Sequence, residues 1–349
     1  MSSQSVFLNQ AGTSWPKPAP VRDAVATSLT LDPGGWESAF SEQHDGVARA
    51  FGVRSEEMLL TPGGTSALAA AVSVIPWAPG DSVVTSAMEH EALAVPLRAL
   101  ADRGIARVVI PRAGSGPIDL PMLERRLRGG DVRLVAVTAV SNVTGERLPI
   151  EDIVDMAHEY GSLCLIDASQ WVGWERLDLR ALDADAVAFA GHKALHGVWG
   201  VGGLYLGPSL PSIGWCDVGS VDRSALAGLV AALDWLEHPG QRDRLSRCNG
   251  YADQLVTFLR AHESVTLHGR CSDQWRLPIV AFTSSSASPD LIASRLRAKG
   301  VWVSGGHQCA PEAHHALGTD PEGVVRCSFG AGNTEEDIQA LLEALGPLL

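Results

Sequence analysis

Between Met58 and Leu206 short apolar runs alternate with longer stretches in which apolar residues recur every three or four positions. Met58–Thr61, Ser82–Thr85, Ala106–Ile110, Leu134–Val140, Leu163–Asp167, Ala186–Ala190 and Gly202–Leu206 are short and continuously apolar, the signature of buried strands. Thr65–Ile75, Ala92–Asp102 and Ile150–Tyr160 carry the helical period between them. Strands and helices in this alternation predict an α/β fold, a mainly parallel seven-stranded sheet sandwiched by helices. Ligands of such sheets bind beyond the carboxyl ends of the strands, so residues just past each run are the candidates for chemistry.

After Leu206 the rhythm changes. Pro208–Val221 breaks into Pro, Ser and Gly, and helices follow at about Ser224–Glu237 and Arg242–Ala261. Strands near Ile279–Phe282 and Val324–Phe329, with helices near Leu291–Lys299 and Thr334–Leu345, predict a smaller α+β unit. The expected division is a large domain over 13–235 and a small C-terminal domain over 236–349 that takes in 1–12. A chain of 349 residues with 46% hydrophobic content can bury cores in both.

Charge narrows the function. Forty acidic residues against 27 Lys and Arg give a net charge of −13, which repels phosphate backbones and argues against nucleic acid. No apolar stretch reaches bilayer-spanning length, and Met1–Gln10 has no secretory pattern, so no membrane role and a cytoplasmic location are expected. Cysteines 164, 216, 248, 271, 309 and 327 fit neither a zinc spacing nor a compact disulfide framework, so no metal site is expected. The ten tryptophans are expected mostly in the core and in contacts between the lobes, with Trp171, directly after Gln170, the one to watch.

Asp167 ends one apolar run, and Lys193 follows 26 residues later, just past another. A carboxylate and a lysine at two strand ends meet the needs of pyridoxal 5'-phosphate (PLP). The lysine forms the Schiff base and the anion keeps the pyridine nitrogen protonated. Alone, Asp167 reads more readily as a helix cap and Lys193 as a solvated lysine; the pair in context is what points to PLP. Thr61-Pro-Gly-Gly64-Thr65-Ser66 lies between strand and helix, where free N–H groups and hydroxyls can cradle a phosphate. By itself that turn is weak, since Gly-rich strand–helix turns are common. His90, in Glu89-His90-Glu91, can stack on a flat ring and exchange protons, or can be an ordinary loop histidine.

Together, Phe7–Lys17, Thr61–Ser66, Glu89-His90, Ser141–Gly145, Ile166–Gln170, Gly191–Lys193, His307–Pro311 and Val325–Gly330 resemble, in order, the cysteine desulfurase and selenocysteine lyase branch of the class V aminotransferases, which are fold-type I PLP enzymes. The resemblance implies that Lys193 binds PLP and shuttles the α-proton. Asp167 then pairs with the pyridine nitrogen, Gln170 with the ring hydroxyl, and His90 stacks on the ring. Gly64, Thr65, Ser66 and His192 match the phosphate site, and Asn142 matches a contact to the ring oxygen or substrate carboxylate. Arg326 matches the arginine that grips that carboxylate, with Ala11 and His307 also on the substrate side. It further implies a homodimer, with Ser220 reaching the second subunit's phosphate.

Cys309 decides the reaction. In the family a cysteine in this segment attacks the sulfur of L-cysteine, becomes a persulfide and leaves alanine, with a sulfur-acceptor protein as a possible partner. Gly305-Gly306 implies a flexible loop before it, and His307 is placed to help the thiolate. Three positions depart from the family: Ser304 replaces a common arginine, Ala190 a phosphate-binding serine, and the 206–220 passage is short. They point to a specialised enzyme. The alternatives are a C–S lyase releasing pyruvate, a transaminase or epimerase, and a non-catalytic protein on a degenerate PLP fold. The last should have lost Lys193 or Asp167, and both are present.

Overall fold

A computed structural model describes residues 5–114, 116–213, 219–269 and 276–349. The chain opens with strand β1 (Val6–Phe7) and helices α1 (Ala19–Ser28) and α2 (Trp36–Ala50), then enters the alternating region. That region runs β2 (Met58–Thr61), α3 (Gly64–Val74), β3 (Ser82–Ser86), α4 (Glu91–Ala99), β4 (Ala106–Ile110) and α5 (Leu120–Leu127). It continues through β5 (Val132–Thr138), α6 (Ile150–Glu159), β6 (Leu163–Asp167), β7 (Ala186–Ala190) and β8 (Gly202–Leu206). Helices α7 (Arg223–Glu237) and α8 (Arg244–Arg260) lead to β9 (Val265–His268), β10 (Ile279–Ser284) and α9 (Pro289–Ala298). The chain closes with β11 (Val301–Trp302), α10 (Pro311–Leu317), β12 (Val325–Ser328) and α11 (Glu335–Leu345).

The main sheet has seven strands in the order β2-β8-β7-β6-β5-β3-β4. Only β8 runs against its neighbours, pairing antiparallel with β2 and β7. Along the central strands alternate residues feed opposite cores. Val84, Val135, Val137, Ile166, Val187 and Phe189 enter one cluster, and Val83, Leu134, Ala136, Leu165, Ala186 and Ala188 the other. Burial on both faces is why these strands read as unbroken apolar runs. Helices α3 and α4 supply Leu68, Ala71, Leu93 and Leu97 to the second cluster; α6 and α7 supply Ile153, Val154, Leu226 and Leu229 to the first.

A smaller antiparallel sheet, β12-β10-β9, packs against α8 and α9, and α11 packs on those two helices. The N-terminus belongs to this region in space. β1 pairs with β11, and Asn9 bridges to Ser328, so residues 9–15 run from the small sheet to the main one.

Two boundaries need correction. β5 starts and ends two residues earlier than the run Leu134–Val140, because Ala139 and Val140 leave the ladder to pair with Leu148 and Arg147. Past Ala99 the second helix tightens into a 3-10 turn over Leu100–Arg103, closed by Gly104 in the left-handed conformation. Among the described tryptophans Trp15, Trp36, Trp199 and Trp302 are exposed, whereas Trp174 is buried and Trp77 and Trp235 pack against the core. Trp171 packs partly against the core, and its indole donates to Glu175.

Candidate active site

The carboxyl ends of β2, β3, β5, β6 and β7 lie along one edge of the sheet, and most of the chemistry-bearing residues follow them. Lys193 comes three residues after β7. Its surroundings are dense enough that burial lowers its ammonium pKa; Asp167 and the Cys309 thiol oppose that shift, and the Arg326 charge adds to it. The charges of Asp167, Arg326 and Cys309 all act on Lys193, although Arg326 and Cys309 come from the far end of the chain. Among the described residues Lys193 Nζ has no hydrogen-bond partner.

Asp167, at the tip of β6, accepts the Ser169 N–H through Oδ1 at 2.9 Å and is nearly fully buried. His90 caps α4: Nδ1 accepts the Ala92 N–H at 3.0 Å, which leaves Nε2 to carry the proton of the neutral ring. Burial lowers its pKa, with the Lys193 charge next, so the ring is neutral near pH 7.

The phosphate expectation can be tested on three features. Helix α3 begins at Gly64 with no side-chain cap, so the first-turn N–H groups beside Thr65 and Ser66 are open to an anion. A Cβ on Gly64 would stand 2.9 Å from Ser169 Oγ, and one on Gly202 would stand 2.8 Å from the Gly63 carbonyl carbon. The turn approaches the sheet that closely only because both are glycine. His192 Nδ1 is buried without a partner, and burial holds the imidazole down at about 4, a neutral ring waiting for an acceptor or donor. Free helix N–H groups, an orphaned imidazole nitrogen, an unpartnered lysine and a buried carboxylate suit PLP. Ala190 lies 3.4 Å from that same Gly64 position, so a serine hydroxyl is missing from the cradle.

Arg326 is buried on β12. Nη1 donates to the Asn142 carbonyl at 2.8 Å and Nη2 to Asn9 Oδ1 at 2.6 Å, while Nε has no partner. Burial lowers its pKa to about 10, still charged at neutral pH. No acidic side chain is hydrogen-bonded to it among the described residues, so an incoming carboxylate would be its counter-ion.

Several expected contacts are arranged differently. Gln170 Nε2 donates to the Ala11 carbonyl at 2.9 Å, and Ala11 N–H donates to Ser328 Oγ, so these two residues brace each other. The Asn142 amide donates to the Gln308 carbonyl at 2.8 Å. His307 Nε2 lies 3.3 Å from Asp320 Oδ1, and the ring packs edge-on against His314. Ser220 is exposed and lines a cavity of about 620 Å³ with Phe40, Leu59 and Leu60. Residues 214–218, within the short passage, lie outside the described residues, as do Cys216 and Cys271.

The Gly305-Gly306 pair does not make a loose loop. A Cβ on Gly305 would stand 2.8 Å from Asp290 Oδ1, and one on Gly323 would enter the Gly306 backbone, so small size serves close packing here. Cys309 is exposed, whereas Cys164, Cys248 and Cys327 are buried thiols whose pKa values burial raises.

Sequence reasoning gave no role to Asn9, Ser169 or Gln308. Only the pairing of Asn9 with Ser328, 319 positions apart, brings that amide to Arg326.

Glu89 is buried behind His90. It accepts a hydrogen bond from Ser86 Oγ and the Thr138 N–H at 2.8 Å, and burial raises its pKa to about 8. The folded protein therefore holds a proton that the unfolded chain has released above about 4.5. The resulting stability is complete below that pH and is lost as pH rises through about 8. Glu89→Gln keeps the acceptor for Thr138 and cannot ionise. Its melting temperature relative to wild type is expected to improve from pH 6 to pH 9 in thermal unfolding; a pH-independent difference would contradict the assignment.

The family model described as aminotransferase class-V matches residues 34–212 and 216–341. A protein of Chlamydia muridarum named probable cysteine desulfurase is 30% identical, with 99% of this chain and 94% of that one aligned. Another of that name from Vibrio cholerae is 28% identical over 97% of this chain and 92% of its own. The apo structure of a cysteine desulfurase from Thermococcus onnurineus superposes with a TM-score of 0.91 at 23% identity, covering 99% of this chain and 94% of that one. At that identity the last likeness speaks to fold.

Proposed function

Because the chain belongs to the aminotransferase class-V family of PLP-dependent enzymes, we propose that it removes sulfur from L-cysteine and leaves alanine, with Cys309 as the sulfur acceptor. The observation that carries this reading is an exposed thiol on a loop tied through Asn142 to the buried Arg326, with both groups acting on the charge of Lys193. PLP, when bound, supplies the electron sink that makes the substrate Cα–H acidic. Lys193 holds the cofactor and then moves the α-proton, a task suited to an amine whose pKa burial has lowered. Asp167 holds the ring nitrogen, the α3 N-terminus with Thr65, Ser66 and His192 holds the phosphate, and His90 covers the ring as a neutral imidazole. Arg326 takes the substrate carboxylate on the N–H groups that Asn9 and Asn142 leave free, and so orients the side-chain sulfur.

The Cys309 thiolate attacks that sulfur. An S–S bond forms, the Cβ–S bond breaks, and its electron pair takes up a proton to give alanine. A second thiol then reduces the persulfide and carries the sulfur away.

The reading extends to a cytoplasmic homodimer in which Ser220 reaches the second subunit's phosphate, and to a division into 13–235 and 236–349 with 1–12. Among the described residues no helix is long and apolar enough to cross a membrane. A C–S lyase using the same cofactor site would release pyruvate and ammonia without Cys309. Holoenzyme incubated with L-cysteine and a thiol reductant should yield alanine equal to the sulfide released. Pyruvate in its place would turn the assignment to elimination.

A further inference from the structure

Gln308 and Cys309 both sit in the left-handed region, at φ 46° and 56°, which side-chain-bearing residues rarely occupy in succession. Such backbone persists where its surroundings over-determine it. Here the His307 carbonyl accepts from the Ala310 N–H and the His314 ring, and the Cys309 carbonyl accepts from the Glu91 N–H at 2.8 Å. Gln308 Nε2 reaches the Val324 carbonyl at 3.2 Å. The Gln308 carbonyl is held by the Asn142 amide at 2.8 Å, and Asn142 is also the residue whose carbonyl holds Arg326.

One residue thus touches both the carboxylate-binding arginine and the thiol-bearing loop. Of the bonds that hold the loop carbonyls, Asn142's comes from a side chain beside the substrate's destination. A carboxylate on Arg326 is a charged acceptor, roughly twice as strong toward an N–H as a neutral carbonyl. We infer that Asn142 is a positioning residue that latches the Cys309 loop, and that a bound substrate carboxylate draws its amide away and frees the thiol to approach. The inference rests on the proposed roles of Arg326 and Cys309, and it ties thiol movement to the arrival of a complete amino acid.

The test is the rate at which iodoacetamide alkylates Cys309 in the holoenzyme, followed by mass spectrometry of the Cys309 peptide. L-Alanine is expected to raise the wild-type rate about three- to tenfold, the range for losing one hydrogen bond, whereas L-alaninamide, without the carboxylate, leaves it unchanged. Asn142→Asp, which sets an anion against the Gln308 carbonyl, and Asn142→Ala should both alkylate fast without ligand and ignore alanine. A wild-type rate that alanine leaves unchanged or slows, or variants that alkylate at the wild-type rate, would overturn the latch. Alkylation needs no sulfur transfer, so failure of the desulfurase reading would appear in the product assay and not here.

Discussion

Lys193→Ala is expected to lower turnover by roughly 10³-fold or more and to leave cofactor that dialyses away. Two losses combine: the covalent hold on PLP and the base that moves the α-proton, the second alone worth about 10²–10⁴ in rate. The fold should survive. Burial, the largest influence on the Lys193 pKa, outweighs its attraction to Asp167, and its Nζ has no hydrogen-bond partner among the described residues, so the apo-protein gives up a desolvated charge and no hydrogen bond. Thermal unfolding of the cofactor-free variant should therefore give a melting temperature equal to or above that of wild-type apo-protein. A variant that kept both its colour and its activity would remove Lys193 from the chemistry.

Cys309→Ala is expected to cut sulfide and alanine formation by about 10²-fold or more, with cofactor binding intact. The backbone supplies this residue's structural bond, through the carbonyl that accepts from the Glu91 N–H. Alanine keeps that carbonyl, and at φ 56° it meets the same steric cost as cysteine. Because the thiol is exposed, its loss leaves no cavity, and the unfolding free energy should stay within about 0.5 kcal/mol of wild type. Continued sulfide release with pyruvate would make Cys309 a bystander.

The parts of the fold that the sequence made legible are those where burial is two-sided. β3 and β7 are buried at every position, so their runs stand out against any neighbour. Helices α1 and α2 escaped because they bury so little: Val21 alone in α1, Val47 and Ala48 in α2, too few to draw an apolar stripe. β1 and β11 are two residues each and exist through their mutual pairing. The site divides along the same line. Asp167, Lys193 and His90 follow strand ends and could be placed from local pattern. The Asn9–Arg326–Asn142–Gln308 chain joins four separate segments and required the fold. Gly305 and Gly306 misled for a related reason: glycine marks either freedom or close approach, and here contacts with Asp290 and Gly323 decide for the second.

The most direct test is the mass of the Cys309 peptide after holoenzyme meets L-cysteine without reductant. A gain of one sulfur atom on that peptide, matched by alanine and reversed by a thiol, is the predicted result. An unmodified peptide while cysteine is consumed to pyruvate would contradict sulfur transfer through Cys309.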